Sequence, residues 1–186
     1  MMNEEIGEYM EPASETVAIA EIIEVAVLKE YALRGETPPK AKRYEVEIDG
    51  RVETFHESEP EGEDLLERVN KKPCQWKLLQ IVQGHEHVVG PETKVDLRHP
   101  GIECFRTEIR TEVTVFVEFD EDVREVTVPR GDVSVATIKQ RADVPATYTI
   151  YAPRPGLPPG PVQDDGIVHV EGCEEFKTQL KTGGSS

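Results

Sequence analysis

The chain has 186 residues and carries 21 Lys and Arg against 37 Asp and Glu, which gives a formal net charge of −16. This length fits one ordinary domain or two small ones, and the strong negative charge disfavours binding to nucleic acid, which needs a basic surface. The longest apolar run, around residues 16–28, is interrupted by two glutamates and is too short to span a bilayer, so no membrane span is expected.

Residues 1–40 are predicted to form one amphipathic helix followed by a linker. Ser14 caps this helix and Gly35 ends it, before Pro38-Pro39. The apolar residues on one face of the helix are Ile19, Ile22, Ile23, Ala26, Val27 and Leu33. Two uses of that face are open: packing on the next part of the chain, or docking into a groove of a partner. Because the first residues lack the basic start of a secretory signal, we expect a cytoplasmic protein.

Residues 41–110 are predicted to form the first compact unit. Apolar and charged side chains alternate over residues 44–48, and Asp49-Gly50 then supplies a tight hairpin turn. A short helix capped by Asp64 follows the hairpin. The later strands of the unit are predicted at residues 76–82, 88–89 and 95–97.

Residues 111–181 are predicted to repeat this order of elements. A hairpin is expected between Val113 and Val128, followed by a helix over about residues 132–141. The Pro-rich stretch 153–161 is interpreted as a long loop, with polyproline II recognised by an aromatic groove as the alternative. The remaining strands are predicted at residues 147–151 and 167–170.

The two units are related by a degenerate repeat with a shift of 71 residues. Gly101 to Thr111 aligns with Gly172 to Thr182, and the same shift places Asp120 on Asp49. A repeat of this length is a compact domain rather than one turn of a solenoid. The sequence therefore predicts an α+β protein with two small mixed sheets, each crossed by one helix.

These features resemble the bacterial multi-ubiquitin-domain proteins, whose units open with a Tyr-x-Val/Ile-x-Ile-Asp hairpin and close with a Gly-x-Glu-x-Phe-x-Thr segment. The matching residues are Tyr44 to Asp49 with Gly101 to Thr107, and less closely Val115 to Asp120 with Gly172 to Thr178. The resemblance implies two tandem ubiquitin-like β-grasp domains. It also implies a protein modifier rather than an enzyme. The second unit departs from the pattern, because it lacks the first aromatic residue and the Asp-Gly turn.

Residues 182–186 form a tail on which the implied function depends. Gly183-Gly184 follows the last predicted strand, and a glycine backbone fits a narrow enzyme channel because it has no Cβ. The resemblance implies that Gly184 is activated with ATP and joined to lysines of target proteins. Ser185 and Ser186 cover its carboxylate, so cleavage between Gly184 and Ser185 is expected first. Residues Leu180, Lys181 and Thr182 are predicted to contact the partner enzymes.

The resemblance implies three partners: a ubiquitin-activating-like enzyme, a ubiquitin-conjugating-like enzyme and a JAB-type metallopeptidase. Those enzymes would use ATP and zinc, and this chain would bind no cofactor. Only Lys181 is basic where ubiquitin has two arginines, so a dedicated activating enzyme is expected. The family alone suggests a role in antiphage defence. Two alternatives stay open: a non-conjugated tandem β-grasp adaptor, and a Gly-Gly-Ser-Ser ending left by cloning.

The other candidate residues are interpreted as structural. His85 and His87 resemble a metal pair, but no third ligand follows nearby in the sequence, so metal binding is rejected. The three cysteines cannot all pair, and Cys74, Cys104 and Cys173 are predicted to be reduced thiols without a catalytic role. Core packing is predicted for Trp76, Phe105 and Phe176.

Overall fold

The computed structural model describes residues 22–181 of the chain. This part contains thirteen strands and three short helices, so the predicted α+β class is confirmed. None of these helices has the length and apolar character that a bilayer crossing requires.

A first mixed sheet, with two helices, is built from residues 23–109. Its elements are β1 (Ile23–Val27), α1 (Leu28–Arg34), β2 (Ala41–Ile48), β3 (Arg51–Phe55), α2 (Gly62–Arg68), β4 (Trp76–Val82), β5 (His85–Val89) and β6 (Ile102–Ile109). Neighbouring strands follow the order β1-β2-β6-β4-β5, and β3 pairs with β2. The closing strand β6 lies parallel to β2 and antiparallel to β4. The opening and closing strands of this unit are therefore neighbours.

The second sheet repeats this arrangement. Its elements, with those of a small additional sheet, are β7 (Glu112–Phe119), β8 (Asp122–Pro129), β9 (Gly131–Ser134), α3 (Val135–Arg141), β10 (Tyr148–Arg154), β11 (Leu157–Val162), β12 (Ile167–Val170) and β13 (Glu175–Leu180). The order is β11-β10-β13-β7-β8, while β9 and β12 pair with each other. Here too the closing strand, β13, is parallel to the opening strand β7 and antiparallel to the next long strand, β10.

The β2–β3 hairpin follows from the alternating sequence. Tyr44, Val46 and Ile48 are buried on one face, and the turn takes positive φ at Asp49 (50°) and Gly50 (77°). Two successive residues with positive φ match the right-handed twist of the strands. The predicted hairpin is confirmed.

Asp64 was expected to cap α2 but occupies the third helical position instead. Glu61 is the N-cap, and its backbone N–H donates to Asp64 Oδ2 at 2.8 Å. The two side chains form a capping box, in which the acid three residues after the cap satisfies the cap's own N–H. The helix also places Leu65 and Leu66 in the core.

Two predictions in the second unit are corrected. The helix begins at Val135 rather than near Asp132, because Ser134 is its N-cap and accepts a hydrogen bond from the backbone N–H of Thr137. The Pro-rich stretch is a hairpin of β10 and β11 rather than a loop. Its prolines at 158, 159 and 161 lie in β11, which is an edge strand. Proline is tolerated at an edge because the N–H that it lacks is not needed for pairing inside the sheet.

The amphipathic helix predicted before the first unit is wrong over Ile23–Val27. These residues form β1, which pairs in parallel with β2, and within residues 22–40 the helix is confined to Leu28–Arg34. A run rich in Ile and Val favours a strand because branching at Cβ restricts the side chain in a helix. The predicted end of the helix is correct, since Gly35 takes φ 65° and closes it. The predicted cap Ser14 and Ile19 lie outside the described residues.

Each large sheet has its own hydrophobic core. The core of the first contains Phe105, 1% exposed, together with Ala26 of β1 and Leu28 of α1. The core of the second contains Phe176, also 1% exposed. Trp76 is partly buried and packs against the first core. Ala26 and Leu28 of the segment before β2 thus contribute to the core of the first unit, whereas Ile22 and Leu33 are exposed, at 59% and 80%.

The prediction of reduced thiols is wrong for Cys74 and Cys173, which form a disulfide with Cα atoms 5.5 Å apart. The two residues are 99 positions apart in sequence, and no local motif announces such a pair. Folding brings them together because the turn before β4 meets the turn before β13. Cys104 is a free, partly buried cysteine.

Candidate functional site

The predicted site lies at the end of β13, where the second sheet leads toward the tail. Leu180 and Lys181 are within the described residues, and Leu180 is 57% exposed. The predicted conjugation and cleavage residues, Gly183, Gly184 and Ser185, lie outside the described residues, as does Thr182 of the predicted contact segment. The base of the tail can therefore be described, and its reactive part stays a prediction.

Strand β13 is paired with β7 over Glu175 to Lys177 and with β10 as far as Leu180. Phe176 pairs with Val117 on one side, and Leu180 pairs with Tyr148 on the other. The backbone N–H of Lys181 then donates to the carbonyl of Thr147 at 2.8 Å. The main chain is thus fixed by the sheet as far as Lys181.

The side chain of Lys181 belongs to a small charged network. Lys181 Nζ lies 2.9 Å from Asp164 Oδ2, and the other oxygen of Asp164 accepts a hydrogen bond from Lys139 Nζ. Lys139 comes from α3 and is buried, with 6% of its surface exposed. Its ammonium also donates to the carbonyl of Tyr148. Hydrogen bonds first from Lys139 and then from Lys181 hold the pKa of Asp164 below its usual value.

This network connects the helix, the sheet and the base of the tail. A buried ammonium is stable only when its donors are satisfied, and Asp164 and Tyr148 meet that need for Lys139. Asp164 in turn fixes where the ammonium of Lys181 lies. Any protein that draws Lys181 away from the sheet must break this ion pair.

A cleft of about 520 Å³ lies beside the same residues. It is lined by Thr149, Pro161, Val162, Gln163, Asp164, Asp165 and Lys181. Two carboxylates and one ammonium give it a polar floor suited to contact with a peptide backbone or a basic side chain. No cysteine or histidine is among its lining residues.

Sequence reasoning missed Asp164 and Lys139 as parts of the site. The only available signal for Lys139 was its position directly after Ile138 on the apolar face of a helix, where a charge needs a partner. Nothing in the sequence around Asp164 distinguished it from an ordinary loop acid. The contact of Lys139 with Asp164 depends on the loop between β11 and β12, which the interpretation of residues 153–161 as one long loop did not predict.

The repeated motif residues have a structural use in the first unit. The carboxylate of Asp49 accepts from the backbone N–H of Thr107 at 2.8 Å and from its hydroxyl at 2.7 Å. Lys71 Nζ lies 2.7 Å from the same carboxylate and 4.1 Å from the centre of the Trp76 ring. Asp49 and Thr107 therefore join the opening hairpin to the closing strand.

The second unit does not reproduce this contact. Thr178, the counterpart of Thr107, donates its hydroxyl to the carbonyl of Glu118, while Asp120 accepts from the hydroxyl of Tyr148 at 3.2 Å. The registers explain the difference: Phe105 pairs with Ile48, whereas Phe176 pairs with Val117, two residues earlier than the repeat would give.

The remaining candidates form no site within residues 22–181. His85 and His87 lie on the exposed edge strand β5, and the described residues contain no group of three His, Cys, Asp or Glu that could hold a metal ion. Burial, and then the negative charge of Glu47, raises the pKa of the Cys104 thiol, which makes it less nucleophilic.

The family model Multiubiquitin matches residues 44–108, a span that begins in β2 and ends in β6. The predicted resemblance to multi-ubiquitin-domain proteins is therefore confirmed over residues 44–108, while that of the second unit stays a prediction. No curated protein matches the chain significantly.

Proposed function

We propose that this ubiquitin-like protein is a modifier, made as a precursor, cleaved after Gly184 and joined through Gly184 to lysines of target proteins. In this proposal residues 41–110 and 111–181 are two tandem β-grasp domains, and the protein acts in the bacterial cytoplasm as a substrate of other enzymes. A role in antiphage defence is part of the same proposal.

The observation that carries the proposal is the position of β13. It is the closing strand of a second sheet whose strand order matches that of the multiubiquitin-like first sheet. The sequence continues from β13 through exposed Leu180 and Lys181 to Gly183-Gly184. A diglycine just beyond the closing strand suits entry into a narrow enzyme channel, because glycine carries no Cβ.

The hydrogen bonds of Asp164 support different roles for the base of the tail, which is fixed on the sheet, and for the glycines that follow it. The ion pair to Lys181 and the backbone bond to Thr147 hold the base of the tail on the sheet. Partner enzymes would then read a rigid surface around Leu180 and Lys181. Activation would use the Gly184 carboxylate, which attacks the α-phosphate of ATP and releases pyrophosphate. The product would be an acyl-adenylate, from which a cysteine thiolate of the activating enzyme would take the acyl group as a thioester while AMP leaves.

The test is activation by a ubiquitin-activating-like enzyme, with pyrophosphate release as the readout. The chain ending at Gly184 should support ATP-dependent pyrophosphate release and form a thioester that a reducing agent breaks. The full chain should do so only after a JAB-type metallopeptidase has removed residues 185–186. Gly184→Ala in the shortened chain should abolish the thioester, while Gln179→Ala, an exposed change on the same strand, should leave it intact.

The opposite result would favour the adaptor. If the shortened chain releases no pyrophosphate with any activating enzyme encoded beside it, conjugation is refuted. The two sheets would then serve for binding alone.

A further inference from the structure

A second feature of the molecule lies away from the tail, at the junction between the two units. The units are joined along the chain by Arg110 and Thr111, between β6 and β7. They are joined a second time by the disulfide of Cys74 and Cys173. Cys74 precedes β4 of the first unit and Cys173 precedes β13 of the second, so the covalent link crosses from one core to the other.

A seam of hydrogen bonds surrounds the disulfide. The backbone N–H of Thr114 donates to Cys74 O at 3.1 Å, and that of Cys173 donates to Thr114 O at 2.7 Å. The side chain of Gln75 donates to Gly172 O at 3.1 Å, and the N–H of Arg110 donates to Gln75 O at 2.9 Å. Two of these bonds cross between the units, from Thr114 N–H to Cys74 O and from Gln75 to Gly172 O, while the other two each lie within one unit.

The backbone at this seam adopts conformations that need support. Cys173 takes φ 68°, a left-handed value that a residue with a Cβ adopts only at a cost. Gly172 takes φ 109°, and a Cβ on it would lie 2.7 Å from Cys74 O. The turn at Cys74 and the turn at Gly172 and Cys173 are therefore in close contact, and the disulfide is the covalent bond between them.

Neither cysteine of the disulfide is fully buried. Cys74 lines an open cleft of about 310 Å³ between the units, together with Pro73, Arg110 and Phe116. Disulfides in a reducing compartment are characteristically reversible, and access of a thiol to the bond is a condition for that.

We propose that the disulfide of Cys74 and Cys173 is a reversible lock that fixes the second unit against the first, and that its reduction frees them to move about Arg110 and Thr111. A dithiol reductant is the partner. One thiolate of the reductant attacks a cysteine sulfur, which breaks the S–S bond, releases the other cysteine and forms a mixed disulfide. The second thiolate of the reductant then attacks the reductant's sulfur in the mixed disulfide and releases the remaining cysteine. Two electrons and two protons pass to the cysteines, which become thiols, and the reductant leaves as its own disulfide.

The test compares the full chain before and after treatment with dithiothreitol, by alkylation and amide hydrogen exchange. Untreated protein should take up one alkyl group, at Cys104, and reduced protein three. Reduction should speed exchange of the Thr114 amide, which donates to Cys74 O across the junction, by at least about tenfold, while core amides such as those of Phe105 and Val117 change less than about twofold. Cys74→Ser and Cys173→Ser should reproduce the reduced pattern without reductant.

Cys104→Ser is the matched control, since it removes a partly buried thiol that takes no part in the seam; it should leave exchange unchanged. Three alkylated cysteines in untreated protein would overturn the proposal, and so would a Thr114 amide that stays protected after reduction. Loss of protection in both cores on reduction would make the bond a staple of the fold rather than a lock between units. None of these readouts depends on conjugation through Gly184, so the lock and the proposed function fail separately.

Discussion

Replacing Asp49 tests whether the repeated motif holds the first unit together. Asp49→Ala removes three contacts of its carboxylate: the N–H and hydroxyl of Thr107 and the ammonium of Lys71. A hydrogen bond contributes about 0.5 to 1.5 kcal/mol net, and the lower value applies here because the side chain is 27% exposed. Alanine at φ 50° adds about 1 kcal/mol of backbone strain. The expected loss of stability is about 2 to 3 kcal/mol.

Trp76 makes this loss measurable in one unit alone. It is the only tryptophan of the chain and packs against the first core, so its fluorescence reports unfolding of the first unit. With a urea dependence of about 1 kcal/mol per molar for a unit of this size, Asp49→Ala should lower the midpoint by about 2 to 3 M. Asp120→Ala, at the equivalent position of the second unit, should leave the Trp76 transition unchanged. Equal midpoints for the two variants would refute the reasoning.

The charge of Asp49 adds a pH dependence of known sign. Burial alone would raise the pKa of Asp49, but hydrogen bonds from Lys71 and Thr107 outweigh it and hold the pKa below the ordinary value of 3.8. A lowered pKa stabilises the folded state above the unfolded pKa, and this stability is lost as pH falls through the folded pKa. Asp49→Asn keeps an acceptor and tolerates the positive φ, so it should cost only about 1 kcal/mol at neutral pH. Its difference from the unmodified protein should shrink as pH falls below 3.8 and should vanish once the pH is below the folded pKa of Asp49.

Two further substitutions test packing in each unit. Phe176→Ala should destabilise the second unit by about 3 to 5 kcal/mol, because it leaves a cavity at a fully buried site. Amide hydrogen exchange of β7 measures this loss. As a control, Leu180→Ala at an exposed position should cost less than about 0.5 kcal/mol. Gly62→Ala should destabilise the first unit by about 1 to 3 kcal/mol, because the added Cβ would lie 2.3 Å from Gly90 O. The urea midpoint of Trp76 fluorescence measures this loss. A midpoint shift no larger than that of Glu67→Ala, an exposed change on the same helix, would contradict the close contact.

The sequence predicted the parts of the fold that depend on local pattern. Alternation over residues 44–48 and the Asp49-Gly50 turn were enough for the first hairpin, because side-chain period and turn chemistry are both local. The shift of 71 residues was enough to expect two similar units. It also placed Phe105 and Phe176 correctly in two cores.

The rest depends on contacts between distant residues. The segment Ile23–Val27 has both a helical apolar face and strand-forming residues, and only the open edge of β2 decides for the strand. Cys74 and Cys173 are 99 residues apart, so their pairing appears only when both turns are placed. Lys139 and Asp164 meet for the same reason: a helix and a loop from different parts of the second unit come together at the end of β13.

The two units differ in how their closing strand, β6 in the first and β13 in the second, pairs with the opening strand. In the first unit β1 takes up much of the edge of β2, so β6 pairs with β2 only at Ile48, and the Asp49 contact to Thr107 compensates. In the second unit β13 pairs with β7 over Glu175 to Lys177, and with β10 as far as Leu180. A strand that carried a tail into a partner enzyme would transmit any pull to its own sheet. The closing strand with the longer pairing to its opening strand is the one that leads to Gly183, and its last contacts, to Thr147 and Asp164, lie where such a pull would begin.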